Sequence, residues 1–374
     1  MKNNYPYWCE IDLSNLDHNI EQIKRIVGKT MILAVVKSNA YGHGIKEVGE
    51  RLSKNNKINY FGVNSVDEAI VLRQIGIKKP ILVMGYVEKE DLNKVLNYDL
   101  EIELWGSDFA QKLSSFSNKP FKVHIKIDTG VGRLGFSMED FEESLDKIDS
   151  LDNIKIKGIM SHLAAVEEGY MDYTRGQLEK FRKACKFFEK RGFKGIKHIG
   201  ATSAIFAYPE AYFDMVRLGI GLYGLWPSEE TKKMSISKVN LKPLMSFKTK
   251  IVYIRDVKRG SNIGYGCSYK AREDMKVAIL PLGYYEGLDR RHSNISHVLV
   301  NGLRVKIVGR VCMNMTMIDI TEIGEKVKVG DEVVIFGKSD GDEITAEEFT
   351  GQIETIAHEM TTKIPYFVKR IYKG

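Results

Sequence analysis

From residue 11 to about residue 225, short apolar runs alternate with longer segments whose apolar residues recur at helical spacing. The runs Ile32–Lys37, Tyr60–Val63, Ile81–Gly85, Leu100–Leu104, Phe121–Asp128, Ile156–His162, Lys197–Gly200 and Met215–Ile220 read as strands. Between them lie helix-like stretches such as Val66–Ile75, Glu139–Ile148 and Tyr170–Arg191. Ahead of them, Leu16–Val27 puts Leu16, Ile20, Ile23 and Ile26 on one face. Continuous apolar runs with β-branched residues suit parallel strands covered on both faces. Eight such units joined by helical crossovers predict an α/β fold, a closed (β/α)8 TIM barrel.

The texture changes after Trp226-Pro227. Ser228–Asn240 is polar and charged and reads as a linker. Beyond it, Leu244–Val257, Lys276–Leu282, His297–Val311, Thr316–Ile320 and Glu332–Phe336 alternate apolar with polar and are separated by turn signals such as Val300-Asn301-Gly302. This predicts a mostly antiparallel β C-terminal domain, with one late helix from Ala346 to about Ile364 behind the N-cap-like Thr345. The expected domains are residues 11–230 for the barrel, and residues 1–10 with 240–374 for the β-rich part.

Composition changes this picture little: 43% apolar and 28% charged residues in 374 are ordinary for a chain with a sizeable core. The formal charge of +7 is scattered, with no basic block, so a nucleic-acid face is not expected; a mild positive field suits small anions. Four widely spaced cysteines, Cys9, Cys185, Cys267 and Cys312, make no CxxC pair; neither disulfides nor a metal site is expected. The N-terminus has no signal-like apolar segment and no run is long enough to span a membrane, which makes a cytoplasmic location the expectation.

Barrel enzymes carry their chemistry at the C-terminal ends of the strands. Lys37 follows the first apolar run, within Lys37-Ser38-Asn39-Ala40-Tyr41-Gly42-His43-Gly44. A lysine leaving a buried strand is partly desolvated, which lowers its pKa and leaves an amine suited to condensing with an aldehyde. A lysine reaching for solvent at a strand end fits that stretch as well. Arg133 follows the fifth run, in Asp128-Thr129-Gly130-Val131-Gly132-Arg133; His162 closes the sixth; Gly200-Ala201-Thr202-Ser203-Ala204 follows the seventh. Arg217 lies in the eighth, just before Gly219 and Ile220. Singly, His162 fits a core histidine, Arg133 a loop arginine and Gly200–Ala204 a plain turn. Their convergence on one rim is what points to a site, and the loops after strands seven and eight are where barrels often hold phosphate.

These blocks, together with Gly264-Tyr265-Gly266, Gly283-Tyr284 and Gly309-Arg310-Val311-Cys312-Met313, resemble the alanine racemase family in residue type and order over essentially the whole chain. The resemblance implies a fold-type III pyridoxal 5'-phosphate enzyme, a homodimer that interconverts L- and D-alanine with its active site shared between subunits. Lys37 would carry the cofactor and act as one base, and Tyr265 of the partner subunit as the other, because inverting a carbon needs a proton removed from one face and returned to the opposite one. A phenol titrates near ~10 unless cations help it, and residues matching Arg133 and His162 lie close to it in the family. Without the motif, Tyr265 would read as a strand-end tyrosine bonded to backbone. Arg217 would face the pyridine nitrogen; with a pKa above ~12 it donates a hydrogen bond and keeps its proton. Tyr41, Ser203, Gly219 and Ile220 would hold the phosphate, with His162 and His358 also beside the cofactor. Arg133, Met313 and Tyr284 would place the substrate. Lys126 matches a lysine often carbamylated in the family, though a simple ion pair fits it equally.

Two positions depart from the family pattern. His358 stands in Thr355-Ile356-Ala357-His358-Glu359 where a tyrosine is usual, and Asn314 follows Met313 where an aspartate is usual. The shorter, titratable imidazole suggests a pocket with room for serine or longer amino acids beside alanine. The competing readings are a decarboxylase of basic amino acids on the related architecture, and a non-catalytic pyridoxal phosphate carrier of the single-domain barrel type. Tyr265 and Met313 in a second domain argue against the carrier.

Overall fold

The structure, a computed structural model, describes residues 5–374; residues 1–4, part of the expected N-terminal contribution to the β-rich domain, lie outside the described residues. The chain divides into two units. One comprises Asp17–Ala40 and Gly44–Leu241; the other takes the chain up to Leu16, Tyr41–His43 and Lys242–Gly374.

In the first unit, eight parallel strands run Met31–Val35, Tyr60–Val63, Ile81–Val83, Glu101–Leu104, Phe121–Lys126, Ile154–Met160, Ile196–His198 and Met215–Leu218. The first seven pair in sequence, each with the next, and the first also pairs with the eighth, Leu33 lying opposite both Tyr60 and Arg217. A bridge between Ala201 and Arg217, with the Arg217 amide donating to the Gly200 carbonyl at 2.9 Å, closes the seventh strand onto the eighth. The expected barrel is therefore present. Six of its strands end two residues earlier than the apolar runs suggest, because the last residues of those runs belong to the loops at the barrel mouth.

Strand alternation explains an interior the apolar reading did not anticipate. Glu101 and Glu103, and His124 and Lys126, are two apart and so share a face; with His198 and Arg217 they are buried and hydrogen-bonded to one another. Ile102, Leu104, Val123 and Ile125 between them are wholly buried apolar residues.

In the second unit, a sheet runs in the order Leu303–Lys306, His297–Val300, Glu332–Ser339, Met245–Lys250, Tyr7–Asp12 and Lys369–Lys373, with Asp342–Ile344 added to Glu332–Ser339. It is antiparallel except where Tyr7–Asp12 meets Lys369–Lys373. A second antiparallel sheet joins Tyr253–Val257, Met275–Leu280 and Thr316–Asp319, over a core of Val257, Ile263, Met275, Val277 and Val308.

Three expectations need correction. The stretch read as a linker holds a helix, Glu229–Ser235, started by a reciprocal Ser228–Thr231 capping box; Thr231 and Ser235 are buried on its inner face while its charged residues stay toward solvent. The late helix is two, Ala346–Gly351 and Ala357–Lys363, interrupted where Glu354 takes φ +55°. The run Leu244–Val257 breaks into strands of two different sheets.

Candidate active site

The first strand ends in an unusual piece of backbone. Ser38, Asn39, Ala40 and Tyr41 have φ between +52° and +55°, a left-handed turn of four L-residues. Such geometry costs roughly 1–2 kcal/mol per residue and persists only where its surroundings enforce it. Here the Glu68 carboxylate accepts from the amides of Ser38 at 2.5 Å, Asn39 at 3.4 Å and Asn64 at 2.8 Å. The Ala40 amide donates to Val36 at 2.9 Å, and the Asn39 side chain accepts from the Ile45 amide at 2.9 Å. Lys37 sits at the head of this turn, half-buried. Burial lowers its pKa, the charges of Arg133 and Lys126 lower it further, and Glu68 and Glu103 oppose the shift.

Arg217 lies at the centre of the barrel mouth, 4% exposed, its pKa pulled down to about 10, chiefly by burial. Nη1 donates to His198 Nδ1 at 3.0 Å and the His198 carbonyl at 3.1 Å. Nη2 donates to the carbonyls of Ser161 and Ile199 and to His162 Nδ1 at 3.1 Å. Guanidinium can only donate, so the tautomers follow. His198 accepts at Nδ1 and so carries its proton on Nε2, which lies 2.9 Å from His124 Nδ1; His124 is then protonated on Nε2 and donates to Glu101 at 2.8 Å. A one-way chain, Arg217 to His198 to His124 to Glu101, thus crosses the interior. Both His162 and His198 are held neutral, well below the usual imidazole pKa, first by burial and then by Arg217. Among the described residues none accepts from Arg217 Nε, which leaves that N–H for a ligand acceptor.

Around this core, Lys126 donates to Glu103 at 2.7 Å. Exposed Arg133 sits on a loop whose preceding amides, Gly130, Val131 and Gly132, converge on the Asp128 carboxylate. Burial pushes Asp128 up, but these amides and that of Arg133 outweigh it and hold the carboxyl below its usual range. His162 lies in electrostatic reach of Lys37, Lys126, Arg133 and Arg217, and Arg133 and Lys126 in reach of Lys37 and of one another. Beside them, Ser203 donates to Glu167 at 2.6 Å and the Gly219 amide donates to Thr202 at 2.9 Å. A phosphate held there by Ser203, Gly219 and Ile220 would exchange those two bonds. Gly221, in the turn with Ile220, has no room for a side chain: a Cβ would lie 2.8 Å from Thr202.

The β-rich unit holds the other expected residues. Tyr265 is 69% exposed, between Gly264 and Gly266, both at positive φ. Tyr284 and Met313 are exposed on two loops drawn together by the amides of Tyr284 and Tyr285, which donate to the carbonyls of Cys312 and Met313. Buried Glu286 locks this pair, accepting from the Gly283 amide at 2.8 Å and from Asn314 Nδ2 at 2.7 Å. The rings of Tyr41 and His358 lie 6.0 Å apart. Glu68, Glu103, His124, His198, Glu101 and Glu286 were not expected. The alternating Glu-Ile-Glu and His-Ile-Lys of strands four and five were the available signal; Glu68 and Glu286 left none, since they act on backbone brought near by folding.

Fold and barrel mouth together define a barrel enzyme whose strand ends present a partly desolvated amine and a buried arginine anchored through both Nη atoms. The family profiles described as alanine racemase, N-terminal domain, and alanine racemase, C-terminal domain, match residues 11–227 and 244–372. Among curated proteins, alanine racemase 2 of Caldanaerobacter subterraneus is 42% identical over 98% of this chain and 95% of its own, and alanine racemase of Methanococcus maripaludis 41% over 98% and 99%. Among solved structures, alanine racemase of Clostridium difficile superposes with a TM-score of 0.92 at 34% identity, covering 100% of this chain and 97% of the other. That of Bacillus anthracis with bound L-Ala-P gives 0.92 at 30% identity, covering 100% and 96%. The chain belongs to the alanine racemase family, and its enzymes are pyridoxal phosphate-dependent isomerases.

Proposed function

We propose that this protein interconverts L- and D-alanine by exchanging the α-proton between two bases, Lys37 of one subunit and Tyr265 of the partner subunit. The observation that carries this reading is the half-buried Lys37 amine, its pKa lowered, in electrostatic reach of Arg133 at the mouth of a barrel whose buried Arg217 keeps Nε free to donate. The donor set fits pyridoxal phosphate: an amine for its aldehyde, a non-acidic N–H for its ring nitrogen, and Ser203, Gly219 and Ile220, with Tyr41 and His358, for its phosphate. When bound, that cofactor withdraws electrons and acidifies the α-carbon.

The chain's own residues do the rest. Lys37 Nζ takes or returns the proton on one face and the Tyr265 hydroxyl does so on the other. Arg133 and the Met313 amide orient the substrate carboxylate, with Tyr284 beside them. Arg217 keeps its proton, because its neighbours His198 and His162 are held neutral and offer it only acceptors. A homodimer follows from the need for Tyr265 in trans, and its exposure is consistent with a surface awaiting a second copy. Among the described residues no helix is long and apolar enough to cross a membrane; we place the enzyme in the cytoplasm, and in a bacterium its D-alanine would feed peptidoglycan. Neither the decarboxylase nor the carrier reading gains support, the carrier least, since residues 244–372 match the racemase C-terminal domain.

The test is complementation. Lys37→Ala and Tyr265→Phe, each made alone, lose on the order of 100-fold or more in α-proton exchange in D2O and in loss of optical rotation. Mixed and allowed to exchange subunits, they regain about a quarter of the parental rate, because each mixed dimer rebuilds one intact site. No recovery from a mixture shown to contain mixed dimers would reject the shared site. A chiral panel on the parent and His358→Tyr then asks whether His358 widens the pocket; an unchanged alanine-to-serine ratio of kcat/KM rejects that idea.

A further inference from the structure

Ser65-Val66-Asp67-Glu68 opens the helix Val66–Gln74 with the composition of a capping box, in which the glutamate turns back onto its own helix start. Ser65 plays its part, accepting from the Glu68 amide at 3.3 Å. The Glu68 carboxylate instead divides its oxygens. Oε2 stays local and accepts from the Asn64 amide at 2.8 Å. Oε1 leaves the helix and accepts from the Ser38 amide at 2.5 Å and, more weakly, from that of Asn39 at 3.4 Å. Successive amides of a tight turn form a concavity suited to an anion, and here the chain's own carboxylate fills it.

The place of that carboxylate in the chain gives it a role. Upstream of Lys37 the backbone is fixed by its strand, the Val36 amide donating to the Gly62 carbonyl at 2.8 Å. Downstream, residues 38–41 hold positive φ, a region that L-residues leave unless something keeps them there. The turn's own bond, from the Ala40 amide to the Val36 carbonyl at 2.9 Å, spans Lys37 but gives the Ser38 and Asn39 amides no acceptor. Glu68 gives them one. We propose that Glu68 is a positioning residue: through the Ser38 and Asn39 amides it holds the left-handed turn, and so fixes the direction in which the Lys37 side chain leaves the backbone. The task of the Lys37 amine rests on the racemase reading; the clamp does not. Charge adds a second effect of definite sign. Lys37 is faced by Glu68, by Glu103 of the fourth strand, by Lys126 of the fifth and by Arg133 of the loop beyond it. Burial lowers its pKa most and the two cations lower it further, while the two carboxylates oppose them. Neutralising Glu68 lets it fall further still.

The test is Glu68→Gln in the holoenzyme. The variant is nearly isosteric but neutral, and it sets an NH2 group where a backbone N–H needs an acceptor. We expect kcat for alanine to fall on the order of 10- to 100-fold, with KM little changed because Arg133 keeps its place. The pH at which the bound cofactor's visible absorption titrates should move down. Parental kcat with an unmoved titration rejects the role. So does a lower urea midpoint with parental kcat per loaded site, which would leave Glu68 a part in stability alone. Ser38→Gly relieves some of the strain that Glu68 holds, since glycine enters positive φ freely. Added to Glu68→Gln it should therefore restore part of the lost kcat, and no recovery would show that Glu68 does not act through the turn. Should Glu68→Gln alone fold poorly, Ser38→Gly becomes the reference. A double variant with lower kcat and a lower titration pH than Ser38→Gly then supports the role, and equality rejects it. A parent that loads the cofactor on Lys37 yet leaves alanine untouched would sink the racemase reading by itself; the titration in Glu68→Gln still decides the clamp.

Discussion

Asn314 shows how a single departure from the family pattern finds its reason in a neighbour. Its amide donates to Glu286, which is buried and also receives the Gly283 amide, so a carboxamide suits a site already holding one carboxylate. Asn314→Asp would set two carboxylates against each other and remove the donor. The expected cost is about 1–3 kcal/mol in urea unfolding, smaller at pH 5 than at pH 8 because one shared proton relieves the repulsion. An equal cost at both pH values would show that Glu286 is not the partner that matters. At Arg217, replacement by Lys would leave His198, Ser161, His162 and Ile199 contending for three rotating donors instead of a fixed fork. Cofactor retention on dialysis should fall, with secondary structure by circular dichroism unchanged.

At the scale of elements, the left-handed turn after Lys37 is the least ordinary feature, and it makes a prediction of opposite signs at one exposed position. Ser38 has φ +55°. Ser38→Gly should stabilise by about 1 kcal/mol, since glycine enters this region freely, whereas Ser38→Val should destabilise by at least that much. If both variants shift the urea midpoint in the same direction, the left-handed geometry is not what the chain adopts. The helix Glu229–Ser235 offers a second check. Ser228→Ala removes the acceptor for the Thr231 amide and should cost about 1 kcal/mol.

The whole molecule carries a pH signature. His162, His198 and His292 have folded pKa values below the free imidazole value of 6.5, His292 near 4, in each case chiefly through burial. Below pH 6.5 the unfolded chain binds protons these groups refuse in the folded state, so stability is greatest above that pH and falls as acid is added. The loss is about 1.4 kcal/mol per pH unit for each group, continuing for His292 down to about pH 4. Unfolding titrations at pH 7.5, 6 and 5 should show this decline, and replacing His292 by an apolar residue of similar size should flatten it by one proton's worth. A slope unchanged in that variant would mean that His292 is protonated in the folded protein.

Local pattern alone carried the architecture: eight apolar runs separated by amphipathic segments, then alternating strands, can bury their surfaces only as a covered parallel sheet followed by an antiparallel one. It also placed Lys37, Arg133, His162, Ser203 and Arg217 in or just after the strand ends, where a barrel opens and those residue types are chemically conspicuous. What it could not carry were relations between segments distant in the chain. The Glu68 carboxylate under the turn at 38–41, the Arg217–His198–His124–Glu101 chain and the Glu103–Lys126 pair each join strands or loops tens of residues apart. Charged residues on a strand read as solvated until closure of the barrel turns their face inward. Only then does desolvation make hydrogen bonding obligatory, and with it the protonation states on which the chemistry depends.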